Sequence, residues 1–237
     1  MAQKRLFKNP FRVFSPDVKE EVLRLKGLHQ RRVSASTALH EGLLIMLSKL
    51  VEMGNILTTA LEFGESTSLA ECARLAAELL EEERILTNYL VSAGVSADEM
   101  KGLIRFPYRL KRVGDGLLSI ENCLRIKSAE RISFGEKADG ELKELFSALK
   151  GMMISLREAF IEPAEGLLEE VINRNKLLAE LIEHSKIKHW IRLEKGESPV
   201  EASSMFRDIL DSLRMANEYL EKMARALLEM GAGSQGG

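Results

Sequence analysis

Apolar residues recur every three or four positions along most of the chain, which is the period of an α-helix with one buried face. The stretch from about residue 36 to about residue 62 shows this pattern most clearly. Its apolar positions are Leu39, Leu43, Met46, Leu50, Met53 and Leu57. Five more stretches with the same period follow, and none of them shows the alternation of a strand. The pattern therefore predicts an all-α protein with six long helices.

Helix-start and helix-stop signals separate these stretches. Capping boxes, in which a serine is followed three residues later by a glutamate, occur at three places. They are Ser68 with Glu71, Ser96 with Glu99, and Ser198 with Glu201, while Ser133 to Glu136 is a related start and Gly64, Gly94 and Gly196 are stops. Pro107 lies inside the pattern of the third helix, where we expect it to kink the helix or break its first turns.

The two halves of the chain resemble each other. Residues 110–115 and 213–218 both end in a carboxylate, and each follows a glycine and a capping box at a similar distance. This recurrence predicts two three-helix units in tandem, over residues 35–132 and 133–230. Each unit alone would leave an apolar face in water, so we expect two three-helix bundles that pack together.

Composition narrows the class of protein. The 237 residues are 45% hydrophobic and 30% charged, with a net charge of −2, and this balance gives no indication of nucleic-acid binding. The two cysteines form no CxxC pair, which favours reduced thiols in the cytoplasm. The longest apolar run, residues 43–47, is far shorter than a transmembrane span.

The two ends of the chain differ in composition from the rest. Residues 1–34 carry nine lysines and arginines against three acidic residues. This basic N-terminal arm could contact a membrane surface or an acidic partner, or it could be a solvated leader. The glycine-rich residues 231–237 are expected to form a flexible tail.

A family resemblance follows from the third and sixth helices. Residues 106–115 resemble the signature helix of PhoU-type proteins, and residues 189–197 with 206–224 resemble the matching end of the second repeat. The likeness spans roughly residues 35–230 and is strongest to PhoU-like domains of sodium/phosphate cotransporter-type proteins. It implies a cytoplasmic, non-enzymatic regulator of phosphate uptake or phosphate signalling. The implied partners are a phosphate transporter or a sensor kinase, and the implied assembly is a homodimer.

The resemblance also implies a metal site, with iron or zinc held by carboxylates of the signature helices. Asp115 and Glu218 occupy the second acidic position of each signature, but the first position is Lys111 or Arg214. A cation four residues from a carboxylate lies on the same helix face and would repel a metal ion. We therefore predict that Asp115 pairs with Lys111 or Arg112, and that Glu218 pairs with Arg214 or Lys222.

Other charged side chains suggest a second kind of site. Arg105, Arg109 and Arg112 lie on one face of the third helix and could bind an anion or an acidic partner. The alternative is ion pairing with glutamates of the second helix, which are Glu78, Glu81, Glu82 and Glu83. Those glutamates are expected to form a solvated face paired with cations across the bundle.

Catalytic signatures are missing from the sequence. No phosphate-binding glycine loop, nucleophile elbow or Glu-x-x-His pair occurs, and His184 and His189 are expected to be solvated or capping residues. Two alternatives to a phosphate regulator remain, namely a protein that binds a carboxylate-held metal cluster and a helical adaptor unrelated to phosphate.

Overall fold

The computed structural model describes residues 35–64, 68–92, 103–162 and 165–234. These residues form six long helices and contain no strand. The helices are α1 (Ala35–Phe63), α2 (Leu69–Ser92), α3 (Phe106–Ala129), α4 (Glu136–Ile161), α5 (Glu165–Glu194) and α6 (Val200–Ser234), with a short 3-10 helix at Leu103–Arg105 before α3. The predicted all-α class and the six helices are confirmed.

Glycines with positive φ close or open several helices, as the sequence indicates. Gly64 has φ 69° after α1, Gly135 has φ 85° before α4, and Gly196 has φ 67° after α5. Only glycine adopts this backbone region without strain, so these turns need glycine. Helix α6 extends to Ser234 and thus includes most of the stretch expected as a tail.

The predicted helix starts are correct, but the side-chain caps are not formed. Helix α2 begins directly after Ser68 and helix α6 begins two residues after Ser198, yet the Oγ atoms of both serines are buried without a hydrogen-bond partner. Pro107 lies in the first turn of α3, where no helical N–H is needed, so it marks the start of the helix instead of a kink. The box at residues 96–99, Gly94 and the basic arm at residues 1–34 lie outside the described residues.

The six helices pack as two antiparallel sets of three. Helix α1 contacts α2 and α3, and α4 contacts α5 and α6. Between the sets, α1 packs on α4 and α3 packs on α6, so that the first and third helices of one repeat meet their counterparts in the other. Helices α2 and α5 lie at the outer sides. This is the pairing that a twofold pseudo-symmetry axis between the repeats produces.

One apolar core runs through both sets, since buried residues from all six helices form a single cluster. Helix α1 is the centre of this core. It is also the one described helix whose length and composition would suit a membrane span, over Thr37–Phe63, but 61% of that window is buried inside the bundle. The apolar character of α1 is therefore explained by its contacts with three other helices.

Glycines let the two sets approach closely. A Cβ atom on Gly54 of α1 would lie 2.7 Å from Cε of Met153 on α4. A Cβ on Gly116 of α3 would lie 3.0 Å from the carbonyl oxygen of Ser212 on α6. A side chain at position 54 would displace the flexible end of Met153, whereas one at position 116 would press on the backbone of α6.

Buried ion pairs tie neighbouring helices together. Lys49 of α1 lies 3.0 Å from Glu82 and 3.3 Å from Glu78 of α2, and all three residues are buried. The glutamates of α2 are thus paired across the bundle, as predicted, but two of them are buried where a solvated face was expected. In the second repeat, Arg192 of α5 binds both carboxylate oxygens of Glu141 on α4, at 2.8 and 3.0 Å.

Candidate functional site at the α3–α6 seam

Helices α3 and α6 carry the two repeated signatures, and they lie antiparallel along a seam. Nη1 of Arg109 donates a hydrogen bond to the carbonyl of Lys222 at 2.8 Å, and Nη2 of Arg112 lies 3.2 Å from Sδ of Met215. Positions 112 and 215 are equivalent in the two repeats. Because equivalent residues touch only near a twofold axis, this contact places the pseudo-symmetry axis at the middle of the seam.

The signature carboxylates are held by cations of their own helices. Oδ2 of Asp115 lies 2.7 Å from Nζ of Lys111 and 3.1 Å from Nη1 of Arg112, which confirms the predicted pairing. Glu218 lies 3.8 Å from Lys222, the second of its two predicted partners. Arg214, the first, pairs instead with Asp211 one turn earlier, at 3.4 Å.

This arrangement does not fit iron or zinc. Asp115 and Glu218 each lie three residues beyond the central contact, in opposite directions, so they are separated by about 9 Å along the seam at about 1.5 Å per residue. The two backbone positions are therefore well separated, and Oδ2 of Asp115 already accepts hydrogen bonds from two cations. Within the described ranges no group of three or more histidine, cysteine or acidic side chains could hold a metal ion.

The three arginines that were expected to act together have different surroundings. Arg105 is exposed just before α3 begins, whereas Arg109 and Arg112 lean onto α6. The expected ion pairs with the glutamates of α2 are therefore not formed by these two residues, because their helix face is turned towards α6. Burial lowers the pKa of Arg109, and the charge of Arg105 lowers it further.

Two tyrosines that sequence reasoning missed complete the seam. The rings of Tyr108 on α3 and Tyr219 on α6 meet edge to face, 6.3 Å apart. Lys222 lies 4.9 Å and Arg112 5.9 Å from the centre of the Tyr219 ring. We refer to Tyr108, Lys111, Arg112, Tyr219 and Lys222 as the seam cluster. The three-and-four spacing of Tyr108 with Lys111 and Arg112 was the available signal in the sequence.

The two phenols of the seam cluster are electrostatically different. Hydrogen bonds from Arg112 and Tyr108 lower the pKa of Tyr219, and its burial opposes them. The hydrogen bond to Tyr219 raises the pKa of Tyr108. The positive charges of Lys111 and Arg112 act on Tyr108, and those of Arg112 and Lys222 act on Tyr219.

Next to the seam, the two repeats differ in how their outer helices are attached. In the first repeat, Gly114 of α3 lies against Leu79 of α2. A Cβ atom on residue 114 would lie 2.7 Å from Cδ1 of Leu79. At the equivalent position in the second repeat, the side chain of Asn217 donates to the carbonyl of Asn175 on α5. Asn175 donates in the same way to the carbonyl of Asn217, and both bonds are 3.0 Å. The apolar contact of the first repeat is thus replaced in the second repeat by two hydrogen bonds, each from a side-chain amide to a backbone carbonyl.

The expectation of a solvated or capping histidine is wrong for His189. Its ring is buried, stacks on Phe206 with centroids 4.7 Å apart, and lies 2.8 Å from Oγ of Ser203. Burial lowers its pKa, and Arg192 and Arg207 lower it further. His184, five residues earlier on α5, is exposed as expected.

These features define a class of protein: two antiparallel three-helix repeats joined through α1–α4 and α3–α6, with a charged and aromatic seam where the signature helices meet. No family sequence model matches the chain, and no curated protein matches it significantly.

Solved structures with the same fold are PhoU proteins. PhoU from Pseudomonas aeruginosa superposes with a TM-score of 0.76 at 15% identity, over 84% of this chain and 98% of that chain. The phosphate transport system regulatory protein PhoU from Streptococcus pneumoniae superposes with a TM-score of 0.71 at 14% identity, over the same shares. The chain therefore has the PhoU fold, as the signature helices indicated.

Proposed function

We propose that this chain is a cytoplasmic, non-enzymatic regulator of phosphate uptake or phosphate signalling that acts through contacts with other proteins. The observation that carries the proposal is the match to PhoU structures along nearly their whole length, 98% of each neighbouring chain. One of those neighbours is described as a regulatory protein of the phosphate transport system.

The position of the signature segments supports the same function. They lie on equivalent helices that meet at the pseudo-symmetry axis, so the part of the sequence that resembles the family is also the structural centre of the fold. The partners proposed are a phosphate transporter or a sensor kinase. Assembly into a homodimer is part of the same proposal.

The test is removal of the gene from its host, followed by measurement of phosphate uptake and of a phosphate-starvation reporter in rich and poor phosphate. We expect the deletion to raise uptake or reporter activity in rich phosphate, and the wild-type gene to restore control. Affinity capture from the same cultures should recover a transporter or kinase subunit. Uptake and reporter activity that do not change on deletion, with no such subunit captured, would favour the adaptor unrelated to phosphate.

A further inference from the structure

The α3–α6 seam presents more positive than negative charge at its surface. Lys111, Arg112 and Lys222 surround two phenols, and among the residues that the structure describes Asp115 and Glu218 form ion pairs with them. Beside them, the described cations Arg105 and Arg109 are opposed by Glu229. A surplus of cations converging on hydroxyl groups is suited to a ligand that is negatively charged and rich in oxygen.

Several donors of the seam cluster are held by weak or loose partners. Nη2 of Arg112 is directed at a thioether sulfur, which is a poor acceptor. The contact between Lys222 and Glu218 is 3.8 Å long, and both side chains are more than half exposed, so Lys222 can turn to another acceptor at little cost. A strong acceptor placed between these groups would therefore gain hydrogen bonds without breaking a strong one.

We propose that the seam cluster binds a phosphate-type oxyanion across the junction of the two repeats. A planar carboxylate offers two oxygens in one plane and suits a single arginine edge. A tetrahedral dianion offers oxygens in several directions, so it can accept from Arg112 and Lys111 on α3 and from Lys222 on α6 together. Tyr108, which is more than half exposed, lies beside these donors.

This site takes the place of the carboxylate metal site that the fold suggests. The residues that would have to be acidic for metal binding are Lys111 and Arg214, and the change of sign converts the helix face from a cation site to an anion site. The inference rests on the geometry of the seam cluster and holds whether or not the chain regulates phosphate uptake.

The first measurement is calorimetric titration of the purified full chain with inorganic phosphate at low ionic strength, with chloride at matched ionic strength as the blank. We expect saturable phosphate binding that weakens roughly tenfold or more in Arg112→Met and in Lys222→Met, since each loses a charge-assisted hydrogen bond. Arg225→Met is the matched control. Arg225 is an exposed cation on α6 that pairs with Glu221, so its loss changes net charge equally but should leave phosphate affinity unchanged.

The second measurement uses the phenols as a probe of the site. An anion beside Tyr219 disfavours its phenolate, so saturating phosphate should raise the pKa seen in the tyrosinate absorbance. The shift should disappear in Tyr219→Phe. This measurement reports binding at the seam itself. A general loss of stability would not produce the same pKa shift.

A third arm identifies the source of the oxyanion. Tighter binding of a phosphoserine peptide than of inorganic phosphate would support the site with a phosphoryl group on another molecule as its ligand, and the reverse order would support it with the free ion. The proposal is overturned if neither probe binds saturably, if Lys222→Met with unchanged thermal unfolding retains full affinity, or if Arg225→Met loses as much affinity as Arg112→Met.

Discussion

At the scale of single residues, the side chains that matter most are those whose neighbours come from another helix. Asn217 occupies a position where the first repeat has Gly114, and the sequence alone makes it look like a drift from a family pattern. In the fold it is buried, its side-chain amide donates to the carbonyl of Asn175, and its own backbone carbonyl accepts from the side chain of Asn175, so that two hydrogen bonds join α5 to α6. Asn217, which departs from the family pattern, is therefore a residue that joins two helices.

The Asn175–Asn217 pair leads to a prediction about stability. Asn217→Gly removes the side chain that donates to the carbonyl of Asn175, while the side chain of Asn175 keeps its bond to the carbonyl of residue 217. The lost hydrogen bond should cost about 0.5–1.5 kcal/mol, in addition to about 1 kcal/mol for glycine inside a helix. The double change Asn175→Leu with Asn217→Gly places an apolar side chain against glycine, as in the Leu79–Gly114 contact, and should recover part of this loss. Urea unfolding of the three proteins tests this, and a double variant less stable than the single one would contradict the equivalence of the two contacts.

His189 should make stability depend on pH. Its pKa is lowered in the native state by burial and by Arg192 and Arg207, while Glu141 opposes the shift. The unfolded chain, with a histidine pKa of about 6.5, therefore binds more protons than the native chain below that pH, and the free energy of unfolding falls as pH falls.

The measurement is the free energy of unfolding from about pH 7 down to about pH 5. His189→Gln should lose less stability over this range than the wild type, because glutamine does not titrate. His184→Gln on the exposed side of the same helix is the control and should keep the wild-type profile. Equal slopes for His189→Gln and the wild type would show that the buried histidine does not govern the acid response.

At the scale of helices, packing decides which charges contribute to stability. Lys49 lies on the most apolar helix of the protein, yet it is buried between two glutamates of α2. Arg84 also pairs with a glutamate of α2, at 2.9 Å, but its side chain is 65% exposed. The two pairs have similar distances and different surroundings.

Replacing each of these two cations should show whether burial of an ion pair determines how much the pair contributes to stability. Lys49→Met removes the cation that lies beside the buried carboxylates of Glu78 and Glu82, while Glu78 keeps its ion pair with Arg74. The change should cost up to about 3–5 kcal/mol. Arg84→Met should cost less than about 1 kcal/mol, since water replaces the lost partner. Thermal or urea unfolding measures both, and similar losses for the two variants would contradict the role assigned to burial.

At the scale of the whole molecule, the chain has the fold of PhoU proteins, and the charges at its seam predict how it behaves towards metal ions. The wild type should bind zinc, manganese and ferrous ions weakly or not at all, because Asp115 is already paired with two cations.

Replacing the two cations by glutamates should create metal binding. Lys111→Glu together with Arg214→Glu places two carboxylates four residues apart on each signature helix, so that both face the same side. Calorimetry should then detect metal binding. Tight binding by the wild type that is lost in Asp115→Ala would show that the pairing of Asp115 does not prevent coordination.

The sequence predicted the parts of this protein that depend on local periodicity. Helix positions, their ends at Gly64 and Gly196, the all-α class and the pairing of Asp115 with Lys111 all follow from residues fewer than five positions apart or from a repeated pattern. Backbone preference and same-face contacts act over that distance, so they can be read along the chain.

The tertiary structure decided what depends on residues from different helices. The direction in which Arg109 and Arg112 point, the meeting of Tyr108 with Tyr219, the burial of His189 and the amide pair at Asn217 each join positions at least 14 apart in the chain. Periodicity shows that a helix has a buried face, but the face of α3 turned to α6 is fixed only when all six helices share one core. For that reason the sequence determined the helices and the pairing of Asp115 with Lys111, and the packing of α3 against α6 determined which charged and aromatic side chains meet at the seam.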